Sequence, residues 1–289
     1  MDWRKHKKKG HRVIKDLSQI PRKRRLVVKY IIDNPDDVAI STSRDLAKKL
    51  GVNAVTIVRA AKDLGYSGFH ELKKARRNTF KQKQNPYEIV LKSLEKGVKD
   101  TDIVKKSFLK DVEVLNETIS NIKIKDVETV ARLIYDSNRT YIVGFESTAR
   151  AISAFLSGEL RTYHPGVLEI VNVNIFLYDH IRHSKPGDLW ICISFGQGMR
   201  ITVDTIKNMQ AKGVTTVAIT DSQVSPLLQY ADHKLVTAVC GEFIYSSVIG
   251  AFSISNAIVH KMIKLGGKKS TAHLRELRKQ MTEHGVWYE

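Results

Sequence analysis

The chain has 289 residues, 42% of them hydrophobic, enough to build a core in each of two ordinary domains. Its formal charge is +18, and its longest apolar runs stop well short of a bilayer span, which excludes a predicted transmembrane helix. The basic start WRKHKKKGHR is not followed by an apolar stretch and a small-residue cleavage site, so no secretory signal is read and a cytoplasmic protein is expected. Cys192 and Cys240 each sit in an apolar run (LWICISF, LVTAVC) and read as buried free thiols rather than a disulfide or a metal pair.

The charge is concentrated at one end. Residues 1–84 hold 23 Lys and Arg against 8 Asp and Glu, a net of +15, whereas residues 85–289 have a net of +3. Such asymmetry points to an anionic partner for the N-terminal part, a nucleic acid or an anionic membrane surface. A solvated tail would account for Arg4 to Arg12. It does not account for Arg22, Lys23, Arg24 and Arg25, or for Lys73, Lys74, Arg76 and Arg77, which are embedded in helical patterns.

In chain order, Leu26, Val27, Tyr30 and Ile31 recur at helical spacing between Pro21, suited to a first turn, and Asn34-Pro35, which stops the helix. Thr42 followed by Asp45 resembles a capping box opening a second helix with Leu46, Ala47 and Leu50 on one face and Gly51 as its stop. Asn53 caps a third helix whose buried stripe is predicted to be Ile57, Ala60, Ala61 and Leu64. Three short helices with a three-residue turn between the last two fit a helix-turn-helix. Opposite the buried stripe lie Val55, Arg59 and Lys62, with Thr56 on the flank and Asn53 at the tip. In a major groove Arg pairs with guanine, Asn pairs with adenine, and Val or Thr methyls meet thymine, whereas a purely structural bundle has no need to expose such a face.

The run from Ile20 to Lys73, with the NP after the first helix, the LA…GV…TIVR core and the LGYSGFHELK ending, resembles the DNA-binding domain of the RpiR family of bacterial transcriptional regulators. Ala60 stands where that family usually has an aromatic residue, and Asn53 replaces the usual Ser cap. The resemblance implies double-stranded DNA as partner. Asn53, Val55, Thr56 and Arg59 would then face base edges, and Ser43, Arg44, Lys62 and the basic runs would face phosphates.

Residues 70–137 read as mostly helical, with a hinge around Gln84-Asn85-Pro86. Ile103, Phe108, Val112 and Leu115 recur at helical spacing, and so do Val127, Val130, Leu133 and Ile134. The first of these helices is either a linker element or a dimer contact. The expected domains are 1–84, a helix-turn-helix domain with a basic tail, 85–125, a helical linker, and 126–289.

That last domain alternates β-rich apolar runs at 140–145, 167–171, 189–195, 215–220 and 233–239 with helical patterns. The fold class is therefore α/β with an all-α N-terminal domain, the helix-turn-helix bundle preceding a flavodoxin-like doubly wound parallel sheet. Ligands in such sheets sit at the carboxyl ends of the strands. After the first strand GFESTAR places Ser147 and Thr148 at a helix start. After the third, SFGQGMR supplies Ser194, Gly196, Gln197 and Gly198. Hydroxyls and free N–H groups at two converging helix N-termini suit a phosphate, although Ser and Thr also cap helices for purely structural reasons.

The segment from GDLWICISF through ITDSQVSPLLQYADHKLV resembles a sugar isomerase (SIS) domain, notably at Ile219-Thr220, Ser225-Pro226-Leu227 and Ala231-Asp232. RpiR-type regulators pair the two modules, so the resemblance implies a phosphorylated sugar or related metabolite as effector. The third-strand loop departs from the usual S-x-S-G-x-T by two hydroxyls, and Glu146 stands where glycine is common. An acid there repels phosphate, so Glu146 is expected to point away, to pair with Arg150 or Arg200, or to mark a different ligand. Glu242, Ser246 and Ser247 are further candidates for the cavity, or for helix caps.

Asp179, His180 and His183 have an H-x-x-H spacing but no third ligand nearby, and they read as a surface helix end. His260 reads as a satisfied core histidine. The leading expectation is a ligand-responsive, sequence-specific DNA-binding regulator, a homodimer or homotetramer without cofactor, metal or enzymatic activity. The alternative is a sugar-phosphate isomerase with Glu146 or Glu242 as base.

Overall fold

Asn34-Pro35 ends one helix and starts the next. The structure, a computed structural model, describes residues 20–83, 90–91, 94–95, 103–196, 198–223, 225–238 and 247–286. The chain divides into two compact units, Met1–Gln84 and Asn85–Glu289. The basic tail, the hinge around Gln84, Cys240, Gln197, Glu242 and Ser246 lie outside the described residues.

In the first unit α1 (Arg22–Asp33) is entered from Pro21, and the Asn34 N–H donates to the Tyr30 carbonyl to close it. Pro35 then occupies the first turn of a helix absent from the sequence reading, α2 (Pro35–Ile40). Proline has no N–H to lose there and its φ suits the position, so one residue both stops and starts a helix. Next come α3 (Ser43–Lys49), α4 (Ala54–Asp63) and α5 (Phe69–Lys83). Val27, Val28, Ile31, Val38, Leu46, Ile57, Ala60, Ala61 and Leu72 close the core. Leu26, expected inside, is 65% exposed, and Val28 takes its place. Asp37 ties three helices together by accepting from Tyr30 Oη (2.5 Å), Ser41 Oγ (3.1 Å) and Lys49 Nζ (3.0 Å).

The second unit opens with α6 (Ile103–Asn121) and α7 (Ile124–Asp136). Val127, Val130 and Ile134 of α7 are buried as their spacing predicts. On α6 the buried residues are Val114 and Thr118, while the predicted stripe turns outward, with Phe108 68% and Val112 52% exposed. The sheet strands are β1 (Thr140–Val143), β2 (Val167–Ile170), β3 (Leu189–Ile193), β4 (Thr215–Thr220) and β5 (His233–Val236). They lie in the order β2-β1-β3-β4-β5, all parallel. Between them run α8 (Ser147–Arg161), α9 (Ile175–His183), α10 (Arg200–Ala211) and a short 3-10 turn (Pro226–Gln229). The long α11 (Ile249–Glu283) follows and breaks at Gly267, where φ is 52°.

One layer of core, including Ile142, Ile152, Leu156, Ile191 and Ile258, lies against α7, α8 and α11. The other, including Tyr141, Trp190, Cys192, Ile206 and Met209, lies against α9 and α10. Helices on both faces bury the central strands β1, β3 and β4 almost completely, whereas the edge strands β2 and β5 are only partly covered. Burial pushes the Cys192 thiol far above its ordinary value, so it behaves as packing. His260 is exposed, contrary to its reading as a core residue, because Ile258 and Val259 carry the buried face of α11.

Candidate DNA-reading face and effector cleft

The head of α4 is built by two caps. Thr42 Oγ1 accepts from the Asp45 N–H (3.2 Å), and Asp45 Oδ2 accepts from the Thr42 N–H (2.9 Å), which closes the capping box of α3. Gly51 takes φ 62° in the turn, a left-handed conformation that a side chain disfavours, and the Val52 N–H returns to the Ala47 carbonyl (2.9 Å). Asn53 Oδ1 then accepts from both the Thr56 N–H (2.8 Å) and Thr56 Oγ1 (2.7 Å). With Ile57, Ala60 and Ala61 buried, α4 presents Val55 (56% exposed), Arg59 and Lys62 outward, with Arg44 also exposed and Ser43 and Thr56 partly so.

Arg24 and Arg25 of the basic runs are engaged inside this unit. Arg24 pairs with Asp63 at 2.5 Å, joining α1 to α4, and the Arg25 guanidinium donates to the Ile20 carbonyl (3.1 Å). Both hold helices in place. Lys23 and Lys74 are solvent-exposed.

In the second unit the strand order reverses between β1 and β3, so the crevice at their carboxyl ends is the topological switch point. Gly144 follows β1 directly. A Cβ there would stand 2.5 Å from the Ala149 carbonyl oxygen, so only glycine lets α8 start this close to the strand. Ser147 is exposed and Thr148 partly exposed at the start of α8. Ser194, after β3, is fully buried, and Gly196 (φ 62°) and Gly198 (φ 74°) turn the loop through left-handed conformations. A Cβ on Gly198 would press on Pro226 at 3.3 Å, so that glycine serves loop packing.

The N–H groups of this loop, expected to be free, are filled from within the chain. Ser194 Oγ donates to Glu146 Oε1 (2.5 Å), and the Phe195 N–H donates to the same oxygen (2.8 Å). The Gly196 N–H is shared by the two carboxylate oxygens of Asp221 (2.8 and 3.0 Å). The Met199 N–H donates to Ser194 Oγ (3.1 Å). Glu146 therefore neither points away nor pairs with an arginine. Arg200 lies 3.5 Å from Asp204 instead, and its side chain is 95% exposed. Glu146 Oε2 is buried without a hydrogen-bond partner. Burial pushes the Asp221 carboxyl up to about 6, hydrogen bonds from Gly196 and from its own backbone opposing and the Glu146 charge adding.

Asp221, immediately after β4, went unread in the sequence. The rule that singled out residues after β1 and β3 applies equally to β4, and it would have found it. Asp179 lies near Arg182 (3.0 Å) and His183 (3.4 Å), and His180 packs on Tyr141. Among the described residues no cluster of three or more candidate metal ligands occurs. Nor, among them, is any helix long and apolar enough to cross a membrane.

A capped helix-turn-helix unit followed by a doubly wound sheet with its crevice at the switch point defines a two-module protein, a DNA-binding head joined to an α/β domain of the kind that binds metabolites. Residues 11–83 match the helix-turn-helix domain of the rpiR family, and residues 133–261 match the SIS domain. The chain thus pairs a helix-turn-helix domain of the rpiR family with a SIS domain.

A Haemophilus influenzae relative named an uncharacterized HTH-type transcriptional regulator is 28% identical over 71% of each chain. The HTH-type transcriptional regulator GlvR of Bacillus subtilis is 25% identical over 72% of this chain and 75% of its own. Among solved structures, the sugar isomerase domain of an RpiR transcription factor from Sphaerobacter thermophilus superposes with a TM-score of 0.58 at 26% identity, covering 62% of this chain and 99% of that one. The Vibrio vulnificus NanR protein, solved complexed with ManNAc-6P, has a TM-score of 0.58 at 19% identity, covering 92% of this chain and 95% of that one. At that identity the likeness is one of fold.

Proposed function

We infer that this protein is a ligand-responsive, sequence-specific DNA-binding transcriptional regulator whose effector, a phosphorylated sugar or related metabolite, binds in the crevice between β1 and β3. The observation that carries the reading is the outward face of α4. A valine beside an arginine and a lysine is held open by caps on a core shared by five helices, in the part of the chain that has nearly all the net charge. Base readout is assigned to Arg59, Val55 and Thr56. Phosphate contact is assigned to Ser43, Arg44, Lys62 and Lys23. Asn53, with Oδ1 occupied by Thr56, is assigned chiefly to capping.

The effector class is supported by the SIS match and by the phosphosugar in the NanR crystal. Effector contact is assigned to Ser147, Thr148, Ser194, Gly196 and Gly198, which follow β1 and β3.

A single head makes few base contacts, so the working form is proposed to be a homodimer or homotetramer on a near-palindromic operator. Val104, Phe108, Val112, Leu115 and Ile119 fall on one stripe of α6, and all but Leu115 are exposed, which supports a second copy as the cover of that face. The test is footprinting of the purified protein on its own fragmented genome at about 150 mM salt, where nonspecific phosphate contacts are weakened. A few enriched palindromic sites, released by a sugar phosphate, are expected. Uniform binding would refute sequence-specific regulation. Regulation is preferred to isomerase chemistry because Glu146, one of the two candidate bases beside Glu242, has a carboxylate oxygen engaged by Ser194 and Phe195. Turnover of a sugar phosphate that is lost in a Glu146→Gln protein would reverse this preference.

A further inference from the structure

We propose that Glu146 is an internal occupant of the anion seat, so that the effector's phosphate enters by displacing the protein's own carboxylate from Ser194 and the Phe195 N–H. This inference rests on the regulator reading and specifies how its site is controlled.

The donors that an incoming phosphate would use at the β3 loop are the Ser194 hydroxyl and the N–H groups of Phe195 and Gly196. All three are satisfied by carboxylate oxygens, from Glu146 at 2.5 and 2.8 Å and from Asp221 at 2.8 and 3.0 Å. The Glu146 carboxylate on a hydroxyl and one backbone N–H, beside the Asp221 carboxylate on a second N–H, stands where an anion would be held, supplied here in cis. Among the described residues neither Glu146 nor Asp221 has an ion-pair partner, so the crevice holds two uncompensated acids side by side.

The arrangement is not at rest. Glu146 Oε2 is buried with nothing to accept from, a desolvation cost that outward rotation into water removes. Glu146 stands at the N-cap position of α8 and grips the loop that leads into α10, so its release frees that loop between β3 and α10. Exchange of an internal anion for an external one thus couples ligand entry to the position of the β3 loop. The same exchange makes Glu146 the specificity determinant. A ligand group carrying less negative charge than a phosphate competes poorly for the seat, and an uncharged polyol cannot replace the carboxylate at all.

The experiment is calorimetric titration of the full-length protein with inorganic phosphate and with N-acetylmannosamine 6-phosphate, in wild type and in Glu146→Gln and Glu146→Gly variants. Glutamine keeps an acceptor for Ser194 and Phe195 without the charge, and glycine empties the seat. Displacement predicts at least tenfold tighter binding of both probes in Glu146→Gly and a smaller gain in Glu146→Gln. In wild type the amide resonances of Phe195 and Gly196 should move on saturation, a readout that needs no substitution. Unchanged or weaker binding in the variants, or unmoved amides at Phe195 and Gly196, overturns the displacement. That failure is separable from failure of the regulator reading, because operator selection and its release by ligand are read in wild type whatever Glu146 does.

Discussion

The two units use local polar chemistry to opposite ends. In the helical head, side-chain oxygens close the backbone donors of α3 and α4 from their own sequence neighbourhood, Thr42 with Asp45 and Asn53 with Thr56. The capped helices leave Val55, Arg59 and Lys62 exposed on the outward face of α4. In the sheet domain, the donors at the end of β3 are closed by residues 25 and 48 positions away, Asp221 and Glu146. There the chain fills the place in which an external group would bind. The head is held open toward a partner outside the chain, whereas the donors of the cleft are closed by the chain's own carboxylates.

Core size is the largest contrast to test. The head closes over a small cluster around Ile57, whereas Ile191 lies at the centre of a sheet covered on both sides. Truncation of either to alanine costs about 2–5 kcal/mol. In a domain this small that is a large share of its stability. Ile57→Ala is expected to abolish operator binding at 37 °C while the methyl resonances of the sheet domain stay dispersed. Ile191→Ala is expected to lower the melting point of the sheet domain with the head still folded. Simultaneous loss of both units in either variant would show that they fold as one.

Acid separates the units as well. Burial opposes ionisation of Asp37, but hydrogen bonds from Tyr30, Lys49 and Ser41 outweigh it and hold its carboxyl below 3.8. Its contribution to stability is present above that value and is lost as pH falls through its lower folded value. Asp221 is displaced the other way, from 3.8 to about 6, so folding favours its neutral form. That contribution is complete below about pH 3.8 and lost as pH rises through about 6. Asp221→Asn is therefore expected to stabilise the sheet domain at pH 8 by about 1–3 kcal/mol, from about 1.36 kcal/mol per pKa unit. The gain should vanish near pH 4, and urea unfolding at the two pH values measures it. A gain that persists at pH 4 would mean that packing, not charge, is responsible.

Features with local causes were legible in the sequence. The capping box, the Asn53 cap and the Gly51 turn lie within five residues of what stabilises them, and the buried stripe of α4 shows in its own periodicity although its cover is distant. The β4 strand matches its apolar run at both ends. Strands β1, β3 and β5 end two or three residues before their apolar runs do, because the runs continue into the crevice loops. Pro35 was read as a stop because its clash with a preceding helix is unconditional, whereas its role as a start depends on Val38 and Ala39 finding a core to enter. The stripe on α6 was legible as amphipathic but not as exposed, since periodicity marks an apolar face without saying which chain covers it. The contacts of Glu146 with Ser194 and Phe195 join the loops after two strands, and only their adjacency in the sheet creates them.

Within the head, Arg59 and Asn53 sharpen the distinction between a reader and a cap. Arg59→Ala is expected to cost about 1–3 kcal/mol on operator DNA and little on random sequence, as measured by competitive titration at fixed salt. Equal losses on both would move Arg59 to the phosphate-contacting group. The smallest effect belongs to Asn53. A bidentate pair with adenine needs its Oδ1 as acceptor, and that oxygen already takes two donors from Thr56. Asn53→Ala should lower the stability of the head by about 1 kcal/mol, whereas Asn53→Ser, which can still cap, should stay within about 0.5 kcal/mol of wild type. Operator affinity should follow stability in both variants. If Asn53→Ser instead folds normally and loses operator discrimination at one base pair, the side chain leaves its cap on DNA, and the openness of the head is itself conditional on its ligand.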